Sequence, residues 1–216
     1  MMQTTTIDLL RHGACEGGDI FRGSTDSSLS EIGQQQMLQA LKNYPSNSPD
    51  SSPAWQQLIC SPLQRCQTVA KQLAEQQKCN LHIEPALQEI HFGDWEGQLT
   101  DEVYQQSPEA VSAFWKNPVA NTPPNGEPLV EFQQRIQNAW QQLLKQYRGQ
   151  HCLVITHGGV IRLILAELLQ MPLRPVSYIS VPHACLTQIK IFHQPGDKDW
   201  PQLMFHRPPD PVKVTA

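Results

Sequence analysis

The chain has 216 residues, 39% of them hydrophobic and 17% charged, which supplies a packed core and excludes global disorder. Its formal charge of −4 at pH 7 argues against a nucleic-acid partner, which calls for a basic excess or stripe, while leaving room for a local cationic pocket. Residues 1–6 hold no basic leader, and no apolar run approaches bilayer length, so a soluble, cytoplasmic protein with no membrane partner is expected.

The first strand is expected over residues 5–10, where an apolar run stops at Arg11-His12-Gly13. Residues 13–29 lack periodicity and read as a loop. Ser30 is placed to cap a helix reaching about Tyr44, with Ile32, Met37, Ala40 and Leu41 on one face. Residues 45–54, rich in Pro, Ser and Asn, read as a connector. A second strand is expected at 57–60. Ser61-Pro62 then reads as an N-cap followed by proline at the first helical position, opening a helix over 62–77.

A third strand is expected at 81–84. Residues 86–127 read as irregular and lid-like, with short helices near 100–105 and 107–116. A longer helix is expected over 128–148, with Leu129, Phe132, Ile136, Ala139, Trp140, Leu143 and Leu144 at helical spacing. Residues 152–156 form an uninterrupted apolar run, as expected of a strand covered on both faces. His157-Gly158-Gly159 follows, then a helix from about 160 to 169. Late strands are expected at 186–192 and 202–205, separated by a Pro-Gly-Asp turn, with a frayed or surface-laid tail at 207–216. Alternating strands and helices imply a three-layer α/β/α fold with a mostly parallel central sheet. The six cysteines (15, 60, 66, 79, 152, 185) lack metal-knuckle or disulfide spacing and read as reduced thiols.

Three strand-to-helix junctions carry the polar groups: Arg11-His12-Gly13, Ser61-Pro62-Leu63-Gln64-Arg65 and Thr156-His157-Gly158-Gly159. In a parallel sheet all three emerge at the carboxyl edge, where open α/β sheets bind ligands. Neutral imidazole is a nucleophile, a guanidinium is a two-pronged phosphate grip, and a helix N-terminus offers backbone donors to an anion. The combination points to phosphoryl transfer through His12.

Together these segments resemble the histidine phosphatase superfamily, also called phosphoglycerate-mutase-like. Residues 87–97, which read LQEIHFGDWEG, strengthen the likeness. The resemblance spans about residues 5–192 and implies one histidine-phosphatase domain over 1–216. It implies that His12 becomes phosphohistidine, that Arg11, Arg65 and His157 line the phosphate pocket with Gly13 and Gly158, and that Glu89 protonates the leaving alcohol. It implies no metal and no cofactor, and a small phosphate monoester as partner. Fixed cationic donors suit a phosphoryl group that spreads charge over three oxygens. His12 must be neutral, so its other ring nitrogen is expected to donate to a carbonyl in the following loop. Partial burial or the incoming phosphate is expected to keep Glu89 protonated.

Glu84 and Glu96 are competing acids. Asp94, Trp95 and His91 read as structural, and His82 as without a role. Residues 92–96, residues 123–127 and residues 21–26 resemble one branch, the α-ribazole phosphatases of cobalamin biosynthesis. By that likeness Arg22 reaches the phosphate or a substrate hydroxyl. Glu127 contacts substrate or caps the helix at 128, and His183 edges the pocket. The chain departs from the family pattern at Ala14, Cys15, Gly17 and Gly18, and Cys15 beside the pocket suggests sensitivity to oxidation. The competing readings are a phosphoglycerate mutase or broad-specificity phosphatase and, from another class, an inactive phosphate-binding regulatory module. The compact 86–127 segment favours hydrolysis over mutase chemistry.

Overall fold

A computed structural model describes residues 3–44, 55–174, 176–194, 196 and 198–209. The connector at 45–54, part of the Pro-Gly-Asp turn and the tail beyond 209 lie outside the described residues. Among the described residues six strands form one sheet: β1 (Gln3–Arg11), β2 (Gln57–Cys60), β3 (Leu81–Ile83), β4 (His151–Thr156), β5 (Leu186–His193) and β6 (Trp200–Arg207). Their order is β3-β2-β4-β1-β5-β6. The first four run parallel, β5 is antiparallel to β1, and β6 is antiparallel to β5.

Among the described residues six α-helices flank the strands: α1 (Glu31–Lys42), α2 (Gln64–Gln77), α3 (Thr100–Gln106), α4 (Pro108–Lys116), α5 (Leu129–Gln146) and α6 (Gly158–Leu168). Alternation along β1 divides the core. Ile7 and Leu9 pack with Phe132, Ile136 and Trp140 of α5 and with Ile161 and Ile164 of α6. Leu10 faces the other way, with Met37 of α1 and Val69 and Leu73 of α2. The mostly parallel sheet is therefore covered on both faces, which is why β4 reads as an unbroken apolar run. A smaller cluster, Phe21, Trp95, Val103, Val111 and Phe114, ties the 13–29 loop to α3 and α4.

The cap of α1 is as read from the sequence: Ser30 Oγ accepts from Gly33 N–H at 3.0 Å. The start of α2 is not. The helix begins at Gln64 with Leu63 as its N-cap residue, and no side chain caps it. Ser61 is drawn instead toward His157, whose Nε2 lies 2.6 Å from the Ser61 Oγ. The same Oγ accepts from Leu63 N–H at 3.3 Å, just ahead of the helix, and Cys66 Sγ lies 3.7 Å from the same ring nitrogen. The backbone at Gly13 and Gly33 leaves no space for a side chain. A Cβ on Gly13 would lie 2.0 Å from the Gly33 carbonyl oxygen, and one on Gly33 would lie 1.9 Å from that of Ala14. That close approach holds the loop after β1 against α1.

Candidate active site

Register brings the junctions together. Arg11 pairs with Thr156 across β1 and β4, and Cys60 pairs with Ile155 across β2 and β4. The next residues, His12, Ser61 and His157, thus leave the sheet at one level. β5 runs the opposite way, so its beginning lies at the same edge, with Leu186 beside Leu10. This topology brings His183 to the site.

His12 is buried, and its Nδ1 donates to the Gly13 carbonyl at 2.7 Å. That bond places the ring proton on Nδ1 and leaves Nε2 with its lone pair, as the sequence led us to expect of the following loop. The His12 ring stands 5.2 Å from that of His157 and 5.5 Å from that of His183, centroid to centroid. Burial, and then the Arg65 and Arg11 guanidiniums, hold the His12 pKa well below the ordinary imidazole range.

Arg65 is fully buried. Its Nε donates to His157 Nδ1 at 3.3 Å, Nη1 to the Thr25 carbonyl at 2.7 Å and Nη2 to the Gly23 carbonyl at 2.6 Å. Because Arg65 only donates, His157 must accept at Nδ1 and carry its proton on Nε2, facing Ser61. Burial and the charge of Arg65 keep His157 neutral as well. Arg11 donates from Nη1 to the Val181 carbonyl at 2.6 Å, while its Nε is buried without a hydrogen-bond partner among the described residues. An unpaired buried guanidinium donor is costly unless a ligand completes it.

Glu89 lies at the start of α6. Its Oε2 accepts from Gly159 N–H at 2.9 Å, and its Oε1 accepts from Ile90 N–H at 3.1 Å. One of the helix N-terminal donors expected to face an anion therefore serves Glu89. A side chain at 159 would displace this carboxylate, since a Cβ there would lie 2.3 Å from Glu89 Oε1. The segment carrying Glu89 is anchored by Arg135, whose Nη1 donates to the Ala86 and Gln88 carbonyls at 2.7 and 2.9 Å.

The other carboxylates are occupied elsewhere. Glu127 makes a two-pronged pair with Arg135, at 3.0 and 2.8 Å, and does not cap α5, whose N-cap residue is Pro128. Glu84 caps the short turn at Pro85–Leu87 and pairs with exposed His82 at 3.5 Å. Glu96 accepts from Ser24, Thr25 and Phe92 backbone N–H groups and from the Thr25 hydroxyl, pinning the 21–25 loop. Burial pushes the Glu96 carboxyl up, but these hydrogen bonds outweigh it and hold it below its usual range. Asp94 accepts from the Asn125 amide at 3.0 Å, and His91 accepts at Nδ1 from Gly93 N–H at 3.1 Å. Trp95 is buried in the small cluster under the loop.

Arg22 donates from Nη2 to the Glu16 and Gly18 carbonyls at 2.9 and 2.8 Å, and its charge bears on both Cys15 and His183. Cys15 Sγ lies 3.6 Å from His12 Nδ1. Burial raises the Cys15 thiol pKa, and the pull of Arg22, Arg65 and Arg11 does not overcome it. A raised thiol pKa lowers the share of thiolate, the form that oxidants attack. All six cysteines are free. The sequence reading missed Arg162, which lies one helical turn after Gly158 and lines the same cleft as Glu89. The i, i+4 spacing from Gly158 was the signal available for it.

The three depressed histidines set a pH dependence of stability. His183 is pulled down to about 4 by burial, Arg11 and Arg22, and His12 and His157 shift the same way. The unfolded chain titrates its histidines near 6.5, so it binds more protons than the folded one below that pH. The stabilisation is whole above about pH 6.5 and is lost as the pH falls toward 4. Urea midpoints taken between pH 7 and pH 5 should decline, and His183→Gln should flatten that decline. A midpoint independent of pH over this interval would contradict the assignment.

A neutral histidine with its Nε2 lone pair free, two arginines beside it and an unpaired buried donor form, in this α/β fold, a candidate site whose donors suit a phosphoryl group. Residues 7–199 match the family model described as histidine phosphatase superfamily (branch 1). The chain belongs to that family, and its activity is that of a phosphomonoesterase. It is 30% identical over 190 residues to the adenosylcobalamin/alpha-ribazole phosphatase of Salmonella typhimurium, covering 85% of this chain and 89% of that one. It is also 30% identical over 172 residues to the metal-independent phosphoserine phosphatase of Arabidopsis thaliana, covering 78% and 70%. The crystal structure of the alpha-ribazole phosphatase from Shigella flexneri superposes with a TM-score of 0.71 at 28% identity, over 85% of this chain and 89% of that one. No helix among the described residues is long and apolar enough to cross a membrane.

Proposed function

We propose that the chain hydrolyses phosphate monoesters through a phosphohistidine on His12, and that its substrate is α-ribazole 5′-phosphate. The observation that carries the first part is the pairing of a neutral His12, its Nδ1 tied to Gly13, with the unpaired Nε of Arg11. In this reading His12 Nε2 attacks phosphorus in line with the leaving oxygen. Arg11 and Arg65 take up the charge of the equatorial oxygens, and His157, its two ring nitrogens engaged by Arg65 and Ser61, lines the pocket beside them. Glu89 gives its proton to the departing alkoxide and, on return, takes one from the water that cleaves the P–N bond. The second part is supported by the likeness to the Salmonella and Shigella proteins.

Glu89→Gln tests the proton donor. Turnover of alkyl phosphates should drop by roughly 10²–10⁴-fold, the usual worth of general acid catalysis. Turnover of 4-nitrophenyl phosphate, whose leaving group needs no proton, should drop far less. Equal losses on both substrates would remove Glu89 from that role. Quenching with ³²P-labelled substrate should trap acid-labile, base-stable label on the protein. A screen of phosphomonoesters that ranks α-ribazole 5′-phosphate below phosphoserine would overturn the substrate assignment alone.

A further inference from the structure

Beside Glu89 lies a cavity of about 80 Å³ that the phosphate-handling residues do not use. Its walls are mainly rings and aliphatic chains, among them Phe92, Phe114, Trp115, Leu129 and Phe132. Its charged groups are Glu89 and Arg162. Trp115 is 42% exposed, unusual for a tryptophan that borders an apolar cavity.

Arg162 projects from α6 and donates from Nε to the Ile179 carbonyl at 2.8 Å. Its two terminal amino groups make no hydrogen bond or ion pair with the described residues. The Gly158 side-chain position lies 3.4 Å from both Arg162 Nη1 and Arg11 Nε. Two guanidiniums thus converge over one glycine, and Arg11 feels the charge of Arg162. Like charges brought together beside an unpaired donor are favourable only when electron-rich atoms fill the space between them.

We propose that this cavity receives the alcohol half of the phosphomonoester. It takes an uncharged, ring-bearing alcohol, and Arg162 binds an oxygen of that alcohol next to the scissile ester. The proposal rests on reading His12 and Glu89 as the phosphatase centre. Glu89 is the acid that meets the leaving oxygen, so the space beyond it belongs to the leaving group. Aromatic walls reward a ring by stacking. A small alcohol such as serine would leave the aromatic walls unfilled and gain nothing from stacking. Arg162 is then a specificity-determining residue that discriminates by an oxygen contact, whereas Trp115 discriminates by shape.

The test uses three esters of primary alcohols: adenosine 5′-phosphate, 2-phenylethyl phosphate and O-phosphoserine. Only the first has both a ring and an ether oxygen three bonds from the ester oxygen. In the wild-type protein both ring-bearing esters should exceed O-phosphoserine in kcat/KM by about 10-fold or more. Trp115→Ala should shrink that advantage by about 5-fold, through KM. Arg162→Met should cut kcat/KM for adenosine 5′-phosphate by about 10-fold or more relative to 2-phenylethyl phosphate, and Arg162→Lys should restore part of it. O-phosphoserine matching the ring-bearing esters, or ratios that survive both substitutions, would overturn the subsite. If His12→Ala retained its turnover, the failure would lie with the phosphatase reading itself. The ratios are internal to each variant, so partial loss of folded protein does not change them.

Discussion

His12→Ala should lower turnover of every phosphomonoester on the order of 10⁴-fold or more, as deletion of a covalent nucleophile does in other enzymes. The chain should stay folded, because the fold around residue 12 is held by the backbone. His12 N–H donates to the Thr156 carbonyl at 2.9 Å, and its own carbonyl accepts from Ala184 N–H at 3.1 Å. Neither bond needs the imidazole. Removing the ring also removes the surface against which His157 and His183 pack, so a small change in the urea midpoint is expected. The measurement is turnover of an aryl phosphate beside an unfolding curve. Residual activity within about tenfold of wild type would end the phosphohistidine mechanism.

Asp8→Ala is the substitution expected to cost most in stability, about 3–5 kcal/mol, the range for removing one member of a buried polar or charged group. The Asp8 carboxylate is fully buried in the middle of β1. Its Oδ2 accepts from Trp55 Nε1 and His151 Nε2, each at 2.7 Å. Its Oδ1 accepts from Gln188 Nε2 at 2.9 Å and from the Tyr44 hydroxyl at 3.2 Å. Burial and the Asp8 charge both push the Tyr44 pKa up, so its hydroxyl remains a donor. Alanine would strand these donors, which is worse than never having placed them there. Asp8→Asn, which keeps one acceptor, should fall between wild type and alanine. Asp8 lies four residues, about 13 Å along the strand, from His12, so the folded fraction should keep its turnover. A loss below about 1 kcal/mol by urea denaturation would show that water replaces the carboxylate.

The contrast between these residues shows how far a one-dimensional reading reaches. His12, Arg65 and His157 stand out in the sequence because each follows a recognisable change of pattern, from strand to turn or into a helix, whereas Glu89 is singled out only by the family resemblance of residues 87–97. Asp8 stands only four residues before His12, yet its meaning depends on partners drawn from Tyr44, Trp55, His151 and Gln188. Arg162 was hidden likewise inside a helix whose spacing reads as core. Ser61 shows the reverse case. Ser-Pro before a helix is a sound local signal, but here the hydroxyl sits against a buried imidazole that follows β4 and reaches only Leu63 N–H, so α2 has no side-chain cap.

By itself the sequence determined the alternation of strands and helices, the three polar junctions and the residue types at each. These are local properties, written in periodicity and in where apolar runs stop. Only the tertiary structure decided which carboxylates were already committed. Glu96 holds a loop, Glu127 holds Arg135, and Glu89 is left at the mouth of a cavity. Only the tertiary structure decided that His12 and His157 are neutral, because a pKa follows from burial and neighbouring charge. It also placed His183 beside His12, through the reversed direction of β5. Those outcomes depend on contacts between residues up to about 170 positions apart, which no local pattern encodes.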